Sequence, residues 1–154
     1  MSNVDWKLLI GLILLCQGAG VLGAFFTSSE IPAWYASLNK PGITPPNWLF
    51  MPMWLSLYTL MGVSLYIVWN KKKNCLARTL FFIQLGLNAV WTPLFFGLHE
   101  LVLGLVTIIF LDYFVIATII EFKALDKRAG YLLIPYIAWL TAATILNLSI
   151  AWLN

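Results

Sequence analysis

Residues 101–120 read LVLGLVTIIFLDYFVIATII, an apolar run whose only formal charge is Asp112. A helix rises about 1.5 Å per residue, so about 20 residues cross a hydrocarbon core roughly 30 Å thick. Lipid cannot satisfy bare backbone groups, which leaves a helix as the form such a run takes there. Outward from this stretch lie four more runs of the same kind, Leu8 to Ser29, Trp48 to Trp69, Thr79 to Leu98 and Tyr131 to Leu153. Every other charge among the 9 basic and 6 acidic residues falls outside all five. The pattern predicts an all-α integral membrane protein: one five-helix transmembrane domain over residues 1–154, with spans at about 8–29, 48–69, 79–98, 101–120 and 131–153. A composition of 62% hydrophobic and 10% charged residues excludes a soluble enzyme domain and a disordered chain.

The net charge of +3 is unevenly placed. Lys7, Lys71, Lys72, Lys73, Arg78, Lys123, Lys127 and Arg128 precede span one or join spans two to three and four to five, whereas Lys40 alone lies on the other side. By the positive-inside rule the N-terminus is expected in the cytoplasm, with the first loop and the C-terminus outside. The basic residues are split between loops and no soluble module carries them, so nucleic acid is not an expected partner. Cys16 in span one and Cys75 in a cytoplasmic loop are not expected to pair. His99, in a tight turn beside Glu100, reads as an interfacial residue, and no metal site is expected. Asp5 beside Lys7 and the lack of a small-residue cleavage site make the first run a true span, not a signal peptide.

The first loop, residues 27–47, is long and carries Trp34, Tyr35, Leu38 and four prolines, among them Pro41, Pro45 and Pro46. Prolines stiffen a loop, and aromatics call for something to cover. Two readings stand, an interfacial aromatic anchor or a lid folded over the mouth of the bundle; the lid is the expectation. In span one, Ala19 with Gly23 and Gly20 with Ala24 allow close helix approach. No internal repeat supports an inverted-repeat transporter.

Within the spans, helical spacing gathers the polar and aromatic residues on faces. Gln84, Asn88, Trp91 and Phe95 share one face of span three; Tyr136, Trp139, Ala143 and Asn147 share one of span five; Trp54 and Tyr58, continued by Met61, share one of span two. Amides facing lipid are unfavourable, so these are expected to point inward, either joining helices or holding a ligand. A planar, largely apolar ligand with few polar atoms complements such faces. Asp112 is expected protonated or hydrogen-bonded to a neighbour, a direct functional role being the alternative.

Four motifs in order carry a resemblance. Trp34-Tyr35-x-x-Leu38-x-Lys40-Pro41-x-x-x-Pro45-Pro46-x-Trp48 is followed by Trp54-x-x-Leu57-Tyr58-x-x-Met61-Gly62. Then come Gln84-Leu-x-Leu-Asn88-x-x-Trp91-x-Pro93-x-Phe95-Phe96-Gly97 and Pro135-Tyr136-x-x-Trp139 through Leu146-Asn147. Together they resemble the tryptophan-rich sensory protein and translocator protein family, also called peripheral-type benzodiazepine receptors, in its bacterial form. The resemblance implies a five-helix membrane protein, commonly a homodimer in contact with membrane lipid, that binds porphyrins such as protoporphyrin IX and haem. No cofactor is required; the tetrapyrrole is ligand or substrate. Carried over by position, Trp54, Tyr58, Asn88, Trp91, Phe95, Trp139, Ala143 and Asn147 line or support the ligand pocket, under a lid of Trp34, Tyr35, Pro41, Pro45 and Pro46. A bacterial cell membrane is the implied location. Two departures stand out: Ile43 occupies a lid position where the family usually has tryptophan, and Leu148 to Leu153 lacks the Tyr and Arg of the animal cholesterol motif.

The leading expectation is a receptor or sensor for tetrapyrroles and related planar hydrophobic ligands. An enzyme that degrades porphyrin with light and oxygen is the alternative; its catalytic residues would be the indoles Trp54 and Trp139, because no acid/base pair, nucleophile or metal set is present. A transporter of porphyrin or lipid-like ligands is the third reading.

Overall fold

A computed structural model of the chain describes residues 4–71 and 75–154. Lys72 and Lys73, assigned above to the basic loop, lie outside the described residues. The elements in order are α1 (Trp6–Glu30), α2 (Trp34–Ser37), α3 (Asn47–Trp69), α4 (Cys75–Thr92) running into a π-helical turn (Pro93–Gly97), α5 (Leu101–Leu125), α6 (Lys127–Leu132) and α7 (Ile134–Leu153). There is no strand among the described residues. Five segments are long and apolar enough to cross a membrane: α1, α3, α4 with its π-turn, α5, and α6 with α7. This is an integral, multi-pass, all-α membrane protein.

Helix boundaries follow local chemistry. The Asp5 carboxylate caps α1 by accepting from the Leu8 amide at 3.1 Å, and Asp126 caps α6 by accepting from the Arg128 amide at 3.0 Å. Span five is interrupted at Leu133 because Pro135 has no amide hydrogen to donate backward. Pro93 opens the π-turn, in which the Leu98 amide reaches back five residues to the Pro93 carbonyl at 2.9 Å. That wider turn leaves the consecutive Phe95 and Phe96 both buried. α1 continues through Glu30, so residues 27–30, expected within the first loop, are helical.

Glycine sets the tightest helix contact. A Cβ on Gly62 of α3 would stand 2.5 Å from the Ile13 Cα of α1, so the two backbones meet there. Gly20 seats the Tyr58 ring, and Gly23 faces Thr92. α5 packs against α4, α6 and α7, while α1 packs against α3 and α4. Aromatic side chains bridge α3 and α7: Phe50 meets Trp139 edge-on at 5.9 Å, and Trp54 meets Tyr136 at 6.3 Å.

The first loop folds over one end of this bundle. Lys40 closes α2 by donating from Nζ to the carbonyls of Tyr35, Ala36 and Leu38. Asn154 ties the loop to the end of α7, accepting from the Asn39 amide and donating to the Asn39 carbonyl, each at 3.0 Å. His99, at φ 59°, makes the sharp turn between α4 and α5 in the left-handed region. Its ring stacks on Trp34 at 4.2 Å, and its Nε2 lies 3.0 Å from the Glu30 carboxylate. The loop is thus held to α7 and to the α4–α5 turn, which itself meets Glu30 of α1.

Candidate functional site

Mid-bundle, the inward faces of α3, α4 and α7 meet through their polar atoms. The Tyr58 phenol donates to Asn88 Oδ1, Asn88 Nδ2 donates to Tyr136 Oη at 2.9 Å, and Tyr136 donates to Gln84 Oε1 at 3.0 Å. All four side chains are buried. In an apolar medium each of these bonds matters chiefly because breaking it strands a polar group, at about 1–3 kcal/mol. Trp54 stacks on Tyr58 at 5.3 Å and so covers the chain on its lid side. Asn88, expected among ligand-binding residues, has both amide atoms engaged by tyrosines. Tyr136 and Gln84 join the candidate site here; the signal for them was present in the spacing, since each shares a helix face with residues already singled out.

Between this chain and the first loop sits an aromatic layer. Trp91 stacks on Phe95 at 5.1 Å, Trp34 meets Phe95 edge-on at 5.5 Å, and Tyr35 packs against Phe96. Leu146 and Ile150 of α7 complete the cluster. Polar atoms here are not matched. Tyr35 Oη, Trp91 Nε1 and both amide atoms of Asn147 are buried and have no hydrogen-bond partner among the described residues. Asn147 is only 2% exposed and Tyr35 3%. A Cβ added to Gly104 of α5 would stand 3.0 Å from the Phe95 ring and 3.3 Å from Asn147 Nδ2, so α5 leaves room for that amide. Burial raises the Tyr35 phenol above its ordinary value.

A cleft of about 30 Å³ is lined by Pro45 of the first loop, Phe50 of α3, and Trp139, Ala142, Ala143 and Leu146 of α7, the last of which also packs in the aromatic layer. Pockets that hold drug-sized ligands measure about 300–1,000 Å³, well above this cleft. A wider groove of about 490 Å³ lies between Phe25, Phe26, Ser28, Ser29, Glu30 and Gly97. It is open to the surroundings and is lined by none of the expected ligand residues, whereas the smaller cleft is lined by two of them, Trp139 and Ala143, and by Pro45 of the expected lid. Trp54 and Trp139 are both half-buried and turned toward neighbouring helices rather than outward.

The model of the TspO/MBR family matches residues 12–153. The chain belongs to this family. It is 45% identical over 148 residues to the tryptophan-rich protein TspO of Archaeoglobus fulgidus, covering 95% of this chain and 96% of the relative. It is 38% identical over 152 residues to the tryptophan-rich sensory protein of Cereibacter sphaeroides, covering 99% and 94%. Similarity extends to the translocator protein of Bos taurus, 37% identical over 147 residues, with 92% and 87% covered.

Within the TspO/MBR family member described here, Pro41 sits beside the Lys40 cap and accepts from Thr44 Oγ1 at 2.7 Å, so the first loop is internally braced. Pro46 precedes α3 in extended conformation. Ile43, at the position of the missing tryptophan, is exposed. Asp112 accepts from Thr144 Oγ1 of α7 at 2.7 Å, the neighbouring hydrogen bond expected of a carboxyl stranded in lipid.

Proposed function

We propose that the protein is a membrane receptor for tetrapyrroles, such as protoporphyrin IX and haem, and for related planar hydrophobic ligands. The observation that supports this reading is a cleft where the first loop, α3 and α7 meet, lined by Pro45, Phe50, Trp139, Ala142, Ala143 and Leu146, together with the ring contacts of Trp54 with Tyr58 and of Trp91 with Phe95. Wide ring faces stack on indoles with offset or edge geometry, and apolar burial supplies most of the affinity. The first loop serves as the lid, and the asymmetry of basic residues puts it on the outer face of the membrane.

Titration of tryptophan fluorescence with protoporphyrin IX in detergent tests the proposal. Saturable quenching is expected, weakened by Trp54→Phe together with Trp139→Phe. Absence of saturable quenching, or quenching indifferent to that double substitution, would overturn the assignment.

A further inference from the structure

The unmatched polar atoms under the first loop have a definite character. Tyr35 brings an O–H, Trp91 an N–H and Asn147 two N–H groups, against the Asn147 carbonyl oxygen and the Tyr35 lone pairs as acceptors. All three residues touch one aromatic cluster: Trp91 and the Asn147 amide flank Phe95, and Tyr35 packs on Phe96. A cation stands beside them. Lys40 Nζ lies 4.9 Å from the centroid of the Tyr35 ring, and no carboxylate pairs with it among the described residues. Its Nζ donates to the lid carbonyls of Tyr35, Ala36 and Leu38, and the residue is half-exposed. Excess donors beside a positive charge complement an anion that carries two acceptor oxygens.

We propose that Tyr35, Trp91 and Asn147 form a subsite for a ligand carboxylate, with the Lys40 charge supporting it from the lid. This rests on the receptor reading and adds the ligand's chemistry to it. With Phe50 and Trp139 parted from their 5.9 Å contact, the flat ring occupies the cleft they now close, and an acidic substituent reaches past Leu146 to the three donors. The mid-bundle amide at Asn88 takes no part in anion recognition, since its atoms are held by Tyr58 and Tyr136. Polar selectivity therefore resides directly beneath the lid, so that closing the lid and seating the carboxylate are one event.

The test compares protoporphyrin IX with its dimethyl ester, which keeps the ring and removes both charges, by fluorescence titration of the purified full chain. The wild-type protein is expected to bind the acid at least about 10-fold more tightly than the ester, the size expected of hydrogen bonds to a charged group. In Asn147→Leu that acid-to-ester ratio should fall to about twofold or less, and Tyr35→Phe and Trp91→Phe, which keep aromatic rings in place, should each lower it by a smaller factor. Equal affinity of acid and ester for the wild-type protein, or a ratio unmoved by all three substitutions, overturns the carboxylate subsite while ring binding stands. Failure of both compounds to quench saturably overturns the receptor reading and the subsite with it. The wild-type ratio needs no variant, so a poorly folding substitution does not shield the proposal.

Discussion

Mid-bundle and beneath the lid, the molecule buries similar side chains to opposite effect. Tyr58, Asn88, Tyr136 and Gln84 spend most of their polar atoms on each other, whereas Tyr35, Trp91 and Asn147 nearer the lid leave theirs unmatched. The difference separates two uses of an amide in a membrane. A hydrogen-bonded chain across three helices, which leaves Gln84 Nε2 without a partner among the described residues, fixes their register; a wholly unmatched cluster is unfavourable in the empty protein and is relieved by a ligand that brings acceptors.

The largest effect should come from breaking the matched set. Asn88→Leu strands the Tyr58 phenol and removes two bonds, so thermal unfolding in detergent should show a loss of about 1–3 kcal/mol. A melt unchanged from wild type would mean that the chain contributes nothing to stability. The same change under the lid should have the opposite sign. Asn147→Leu removes two unmatched atoms from an apolar setting and should leave the ligand-free protein as stable or more stable by about 1 kcal/mol. Destabilisation comparable to that of Asn88→Leu would erase the contrast between the two regions.

A smaller effect is expected where the lid is fastened. His99→Gly relieves the left-handed backbone but gives up the Trp34 stack and the Glu30 contact, so amide exchange across residues 34–37 should quicken while global stability moves by less than about 1 kcal/mol. Unchanged exchange there would show that Lys40 and Asn154 alone hold the loop.

The smallest effect belongs to the opposite end of the bundle, a control for both regions. The Arg128 side chain, followed by Lys71, holds the Asp126 carboxyl at about 2, below the ordinary carboxylate value of about 3.9. A depressed value means the pairing stabilises the fold above about pH 4 and is lost as pH falls toward 2. Asp126→Asn keeps the helix cap and removes the charge, so its melting point should lie slightly below wild type at pH 7 and converge with it near pH 2. A gap that persists at that pH would assign the effect to capping.

Much of this was legible in the chain. Run length and the exclusion of charge predicted five spans, and period-3.6 spacing put Gln84 with Asn88 and Tyr58 with Trp54 on shared inward faces. The π-turn was less visible, although Pro93 and the adjacent Phe95 and Phe96 are its cause. Spacing within one helix also says nothing of which atoms on different helices meet. The family resemblance carried over both Asn88 and Asn147 as residues of the pocket or its support, and only the structure separates them: tyrosines from α3 and α7 occupy the first and leave the second unpaired.

The sequence by itself determined membrane insertion, the number of crossings and the family, because hydrophobic length and residue spacing are properties of the chain taken one segment at a time. Only the tertiary structure decided which amides are satisfied, how tightly the cleft is closed and what holds the lid. Those depend on distances between segments far apart in sequence, such as Tyr58 to Asn88, Glu30 to His99 and Asn39 to Asn154.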